Sequence, residues 1–446
     1  ACRREILRFA QDDGLEVPRM NTDIELTIEA LGARGDGIAS FEGERVIVPL
    51  AVPGDRVRAR LARDKEGRLA GRVRAVVAPG PARVAPPCPH FGDHPQGGCG
   101  GCALQPLAPE AYRDWKLKQL EAALARHGIP TDAIEPIAIS PPARRRRADL
   151  TASRKKDGVL LGFNARGSHR VVDLAECSVL RPSLVALFEP LRALLAPLMK
   201  PGDGAEACLA ATDSGADLLL VTAIEMALGA RERIAAFAAQ HDVARVARAH
   251  PKHGGAETLL ERRPVRMVMG GAPVPLPPGA FLQATAEGEA ALRDFVVEAA
   301  AGALILADLY ARIGTLAFPL AAVPARAHAV GRDRAVVAAI EAGARAAMRA
   351  NVTAEARDLD KRPLDAGALG AFDAVVFDPP RAGAAAQAMA LAESNVPRVI
   401  AVSCNPGTFA RDARILLDGG YRLARLEPAD QFLWSTHLEL AALFLR

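Results

Sequence analysis

Aromatic side chains are scarce in this chain: Phe, Trp and Tyr make up 4% of its 446 residues, with 3 Tyr and 2 Trp. Any surface that stacks on flat rings must therefore be built from a few of them. Long apolar runs are missing too. Hydrophobic residues reach 50%, yet no uninterrupted stretch approaches the roughly 18 apolar residues of a membrane span. That pattern points to a soluble, cytoplasmic protein, and the length to two to four domains. The opening residues, ACRREILRFAQDDGLEVPRM, carry charges throughout and lack the apolar centre of a secretory leader. Residues 1–22 are expected to form a flexible extension, with Met20 an alternative start. No sign of charge dominates: a net +4 supports only tolerance of an anionic partner. Seven cysteines, an odd number unevenly spread, argue against a secreted disulfide scaffold and leave metal-binding or catalytic roles.

What is present is concentrated near the C-terminus. The run VVFDPPRAG starts at Val375 and RVIAVSCNP ends at Pro406. Each is a short apolar run closed by a polar residue and proline, so Asp378 and Cys404 are expected to leave neighbouring strands at one edge of an open α/β sheet, where ligands bind. An isolated cysteine is more often buried and inert. Held by Asn405-Pro406 beside a helix N-terminus, Cys404 also suits a thiolate nucleophile.

From Ile24 to about Val77 apolar and polar residues alternate in short runs broken by glycine, the pattern of a small β-barrel. Arg56, Arg58, Arg60, Arg63, Arg68, Arg72 and Arg74 fall on its polar faces, which reads either as a nucleic-acid grip or as a solvated strand face. The succession GDGI, VP and VPGD resembles the TRAM domain, a small RNA-binding barrel attached to RNA-modifying enzymes. That resemblance implies RNA as the partner.

Beyond a proline-rich linker, Cys88, Cys99 and Cys102 follow with ten and then two residues between them, and Cys177 lies further on. Three clustered thiols and a distant fourth can close a four-coordinate site for zinc or an iron–sulfur cluster, and the spacing does not separate the two. Cys2 and Cys208 read as ordinary side chains. The sequence CPHFG with CGGC, a charged helix over Leu107 to His127, and then GFNARGSHRVVDLAEC resembles the uracil-5-methyltransferases of ribosomal RNA that carry a four-cysteine [4Fe–4S] cluster. Residues 93–97 read as a loop insertion relative to that family. The resemblance implies Cys88, Cys99, Cys102 and Cys177 as ligands of a [4Fe–4S] cluster, with zinc the alternative, and the cluster as a structural or RNA-positioning element.

Residues 141–270 alternate strand-like and helical runs and predict an α+β domain. Arg144 to Arg147, with Arg154, Lys155 and Lys156, form a positive run that reads as a phosphate contact or as a solvated face.

The resemblance continues to the C-terminus. FLQ is similar to the family's FxQxN element, which implies that Gln283 contacts the methyl donor, with Thr285 in place of asparagine. DLYARIGTL is similar to DLYCGxGxF, the S-adenosylmethionine loop, and implies Tyr310 and Thr315 as contacts; Arg312 stands where that loop has its first glycine, a residue suited to unusual backbone angles and close approach. Gly331 falls where an acid would hold the ribose, with Asp333 two residues later, and Asp358 is placed for the adenine amine. SCNPGTFARD implies Cys404 as the nucleophile that adds to carbon 6 of uracil. Asp378 would sit beside donor and uracil; DQFLWSTHLELAALFL reads as a strand pair, and its Glu439, from STHLE, would remove the carbon 5 proton. Phe281, Phe409 or Trp434 would pack against a uracil drawn from its stack, and Arg381 would hold a phosphate.

The sequence thus predicts a multidomain α/β protein. An extension (1–22) precedes a TRAM-like, OB-like β-barrel (23–79), a central α+β domain with the cysteine cluster (80–278) and a Rossmann-like class I methyltransferase domain (279–446). The implied activity is methylation of carbon 5 of a uridine in RNA, 23S rRNA before transfer RNA, by a monomer with no membrane partner. The rival reading is an RNA-binding protein in which Arg312 and Gly331 have weakened donor binding.

Overall fold

A computed structural model describes residues 23–64, 66–92, 94, 97–321 and 325–446. The expected extension, with Cys2 and Met20, and residues 93, 95 and 96 of the expected insertion lie outside them. Among the described residues the strands form three larger sheets and one hairpin.

Alternation builds the first sheet. Along Arg56–Arg63, Val57, Ala59 and Leu61 are buried while Arg56 and Arg58 face outward. The sheet runs in the order Asp23–Thr27, Arg56–Arg63, Leu69–Ala78, Glu44–Val48, Gly37–Phe41, Ala30–Leu31. Its first and last members are consecutive pieces of one stretch, so the order returns to its start around Leu26, Ile28, Val46, Val48 and Leu61. Much of the expected basic face is compensated: Arg56 pairs with Glu25, Arg60 with Asp23, Arg63 with Glu44, and Arg68 with Asp64 and Glu66.

The second sheet has the order Ala256–Glu261, Val243–Ala249, Gly215–Val221, Gly204–Thr212, Arg147–Arg154, Val159–Gly162. Its core joins Leu150, Leu218 and Val246 to Phe188, Leu191 and Ile234 from the covering helices.

The third sheet organises the site. Five parallel strands run in the order Val352–Ala356, Arg326–Gly331, Ile305–Leu309, Ala374–Phe377, Arg398–Ser403, followed by antiparallel Glu439–Leu445, then Arg422–Asp430 and the short Ala138–Ile139. Strand order reverses direction at Ile305–Leu309 and Ala374–Phe377, the switch point at which open α/β sheets bind ligands. Apolar cores cover both faces.

Two expectations change. Residues 80–278 are divided between cores: the helix Pro109–Ala125 buries Leu120, Ala123 and Leu124 with Phe409 and Leu416 of the helix Pro406–Asp418. The hairpin Arg266–Met269/Ala272–Pro275 packs on the opposite face of the third sheet. Residues 431–438, expected within a strand pair, form a loop in which Trp434 has a left-handed backbone, φ 59°. Among the described residues no helix is long and apolar enough to cross a membrane.

Candidate active site

Because the central strands are parallel, their carboxyl ends meet at one edge. Asp378 directly follows Ala374–Phe377, and its backbone N–H donates to the Leu309 carbonyl at 3.1 Å. Cys404 directly follows Arg398–Ser403. The next residue, Asn405, caps the helix Pro406–Asp418, its side-chain oxygen accepting from Gly407 N at 3.0 Å. Glu439 opens the antiparallel strand Glu439–Leu445, in which Leu440 pairs with Ser403, so Glu439 and Cys404 both adjoin that last pair of the ladder. Cys404, Asp378, Glu439 and Gln283 all line one cavity of about 520 Å³.

The two C-terminal motifs form one unit. The Arg381 carbonyl accepts from Asn405 Nδ2 at 3.2 Å and Thr408 Oγ1 at 3.1 Å, and Asp412 accepts from Ala384 N at 2.7 Å. Gly383 sits at φ 76°, where a Cβ would lie 2.4 Å from Arg411 Nη2 and 2.6 Å from Asp412 Oδ2. The loop bearing Asp378 is thereby fixed against the turn bearing Cys404.

Burial sets the electrostatics. It pushes Glu439 up to about 8, with Asp378 adding and Arg312 opposing. Asp308, buried inside Ile305–Leu309, is pushed up to about 7 by burial and then by Asp378. His437 is pushed down to about 4 by burial, then by Arg381, Lys116 and Arg145, so its ring is neutral at pH 7.

Of the residues expected to contact the methyl donor, Gln283 is buried and its Oε1 accepts from Gln431 Nε2 at 2.6 Å. Gln431, which sequence reasoning missed, also accepts from Ala284 N at 2.6 Å and hydrogen-bonds Glu439. Only its place between Asp430 and the STHLE motif could have signalled it. Thr285 caps the helix Ala286–Ala299, accepting from Gly288 N at 3.0 Å, which is why a hydroxyl serves where the resembled motif has asparagine. Tyr310, Thr315, Gly331 and Asp358 stand outside the cavity lining, on the segments that leave Ile305–Leu309, Arg326–Gly331 and Val352–Ala356. Burial, and after it the carboxylate of Asp360, raise the Tyr310 hydroxyl above its usual range. Asp358 keeps one buried oxygen, Oδ1, without a hydrogen-bond partner, while Oδ2 lies 3.4 Å from Arg332. Asp333 caps the helix Arg334–Ala346 through Ala335 N at 2.8 Å.

Arg312 does not strain the loop as its place at a glycine position suggested. Positive φ falls on Tyr310 (61°) and Gly314 (81°) instead. Its side chain extends into the cavity, Nε 3.6 Å from Asp378 Oδ2 and Cζ 4.3 Å from the centroid of Phe281.

The expected positive run separates into different roles. Arg146 is buried, donates from Nε to the Gln283 carbonyl at 2.9 Å and pairs with Glu289; Arg144 pairs with Glu287. Arg145 and Arg147 line the cavity, over Phe432 and Phe281 respectively. Of the expected stacking rings only Phe281 reaches the cavity. Phe409 is buried against Phe444, and Trp434 packs with Tyr112 and Leu104.

Cys88, Cys99, Cys102 and Cys177 line another wall of the same cavity. Gly100 allows the close approach there: a Cβ would lie 2.9 Å from the Asn164 carbonyl. Burial pushes the Cys102 thiol up to about 12 and Cys99 up to about 11, with charge on neighbouring cysteines adding. Such thiols are neutral unless a cation draws the proton off. Among the described residues, however, no group of three or more His, Cys, Asp or Glu stands so that it could hold a metal ion. The expected ligand set is gathered on one wall but not closed: the donors fit a thiophilic metal in kind, and their placement does not form the finished site. Neutral thiols exert no mutual attraction that would close it. The segment is tied to the 431–438 loop, since Ala103 N and Leu104 N both donate to the Trp434 carbonyl, at 2.8 and 3.0 Å.

Comparison with known proteins agrees with this geometry. Residues 280–446 match the family model described as tRNA (Uracil-5-)-methyltransferase. An uncharacterized RNA methyltransferase of Caulobacter vibrioides is 42% identical over 432 residues, covering 95% of this chain and 100% of that protein. The 23S rRNA (uracil(1939)-C(5))-methyltransferase RlmD of Chromohalobacter salexigens is 36% identical, covering 94% of this chain and 89% of its own length. The crystal structure of the Pyrococcus abyssi tRNA (uracil-54, C5)-methyltransferase shares the fold with a TM-score of 0.72 at 22% identity, over 95% of this chain and 100% of that one. With relatives this similar over almost their whole length, the chain belongs to the RNA (uracil-5-)-methyltransferase family and is an enzyme.

Proposed function

We propose that this enzyme methylates carbon 5 of a uridine in 23S rRNA through a covalent adduct on Cys404. The placement of Cys404 and Glu439 next to the last pair of one ladder, both lining one cavity, carries the reading; the RlmD relative favours the ribosomal substrate. Carbon 5 of uracil is a poor nucleophile. Addition of the Cys404 thiolate to carbon 6 moves the ring electrons toward O4 and makes carbon 5 nucleophilic. Asp378 accepts from the uracil N3–H. S-adenosylmethionine, held by Gln283, Tyr310, Thr315, Gly331, Asp358 and Asp378, supplies an electrophilic methyl; the partnerless Oδ1 of Asp358 suits its adenine amine. Once carbon 5 bears the methyl, Glu439 takes its proton, the carbon 5–carbon 6 double bond re-forms and the Cys404 thiolate leaves. A carboxyl poised near working pH suits that base.

In this reading residues 23–79 are a TRAM-like barrel that grips RNA and residues 279–446 the methyltransferase domain. Cys88, Cys99, Cys102 and Cys177 would be the ligands of a [4Fe–4S] cluster once drawn together, and that cluster would position RNA and the loop at Trp434. Mapping 5-methyluridine in RNA from cells with and without the protein tests the reading: one site in 23S rRNA should lose its methyl. Loss confined to transfer RNA would reassign the substrate.

A further inference from the structure

Three buried carboxylates meet at the strand ends: Asp308 at 2% exposure, Glu439 at 4% and Asp378 at 7%. Three like charges cannot all be held there without a cation, because each loses hydration and repels the others. The guanidinium of Arg312 is the group common to all three. It lies 3.6 Å from Asp378 and opposes the effects of burial at both Asp308 and Glu439. Its flat face also covers Phe281 at 4.3 Å, on the same ring that Arg147 covers from the second sheet.

We propose that Arg312 is a positioning residue of the active site: its guanidinium is the counter-cation shared by Asp378 and Glu439 in one cavity, and it sets Phe281 as the wall beside the uracil. The inference rests on Asp378 and Glu439 being the working acids. The other charged or titratable groups around Glu439 are Arg147 from the second sheet, Arg381 after the Ala374–Phe377 strand, Cys404 after the Arg398–Ser403 strand and the neutral His437.

The test is a carboxyl titration of the full chain, by infrared difference or carbon-13 resonance, with Glu439→Gln assigning the signal. In Arg312→Gly the Glu439 midpoint should rise by at least about half a pH unit, and in Arg312→Lys it should return most of the way. The acid limb of the pH–rate profile for methyl transfer should move with it, lowering the rate at pH 7 by about threefold or more. Should the glycine variant fail to fold, Arg312→Gln repeats the comparison. An unchanged midpoint in a folded, charge-deleted variant would overturn the proposal, as would a rate scaled equally at every pH. A shifted midpoint in a protein that forms no 5-methyluridine would instead leave Arg312 as counter-cation and remove the uracil reading.

Discussion

Ser403 and Leu440 form the last pair of an antiparallel ladder, with Cys404 directly after the one and Glu439 directly before the other. In the proposed mechanism one strand end presents the nucleophile and the next the base. Replacing Glu439 with Gln should leave carbon 6 addition and methylation intact but block proton removal. Methylated RNA should then accumulate attached to Cys404, visible as a slow band on a denaturing gel, with product release down about a hundredfold or more. Free methylated RNA released at the normal rate would exclude Glu439 as the base.

Glu439 and Asp308 titrate at about 8 and about 7 in the folded protein, against about 4 in an unfolded chain. Between those values the folded state holds more protons than the unfolded one, so these groups lower stability as pH rises from about 4 to about 8. Glu439→Gln removes one share. Its unfolding free energy should exceed wild type by about 1 to 3 kcal/mol at pH 8.5 and match it near pH 4. Denaturant unfolding at the two pH values checks this, and equal differences at both would contradict it. Activity runs the opposite way, because the base form of Glu439 grows with pH.

Gly383 is the hinge point of the two motifs. Alanine there would need a left-handed backbone and would meet Arg411 and Asp412 at 2.4 and 2.6 Å. Gly383→Ala should cost about 1 to 3 kcal/mol in thermal unfolding. It should lower kcat more than it raises KM, since it displaces Asp378 relative to Cys404. Wild-type stability and turnover would show that the clamp is not needed.

The cysteine wall makes a spectroscopic prediction. Protein purified without oxygen should be coloured and contain iron, and Cys102→Ser should lose both. Because Ala103 and Leu104 hold the Trp434 carbonyl, that variant should also loosen the 431–438 loop, seen as faster amide exchange at Gln431 to His437. Colourless protein with bound zinc would assign the wall to zinc.

The placement of the candidate catalytic residues at one sheet edge was legible because each closes a short apolar run in a motif with rigid flanks, Asp378-Pro379-Pro380 and Cys404-Asn405-Pro406. Their partners were not. Which of four consecutive arginines turns inward depends on where Arg147–Arg154 enters its sheet, and Arg146 is buried only because Gln283 and Glu289 lie beneath it. Helix Pro109–Ala125 carries no sign of its destination; tertiary packing against Pro406–Asp418 decides it. At Arg312 the glycine of the resembled loop suggested a backbone demand, whereas the left-handed residues are Tyr310 and Gly314. The substitution therefore changes charge and volume within the cavity, leaving the turn intact.

The central claim is that Cys404 activates uracil for methylation at carbon 5. It is tested most directly by incubating wild-type and Cys404→Ala protein with RNA and labelled S-adenosylmethionine, then separating the nucleosides. The wild type should place the label in 5-methyluridine, and the variant should place at least about a thousandfold less there. It should also form no adduct with 5-fluorouridine RNA. Labelled 5-methyluridine at comparable yield from Cys404→Ala, or label from the wild type in any other nucleoside, would contradict the account.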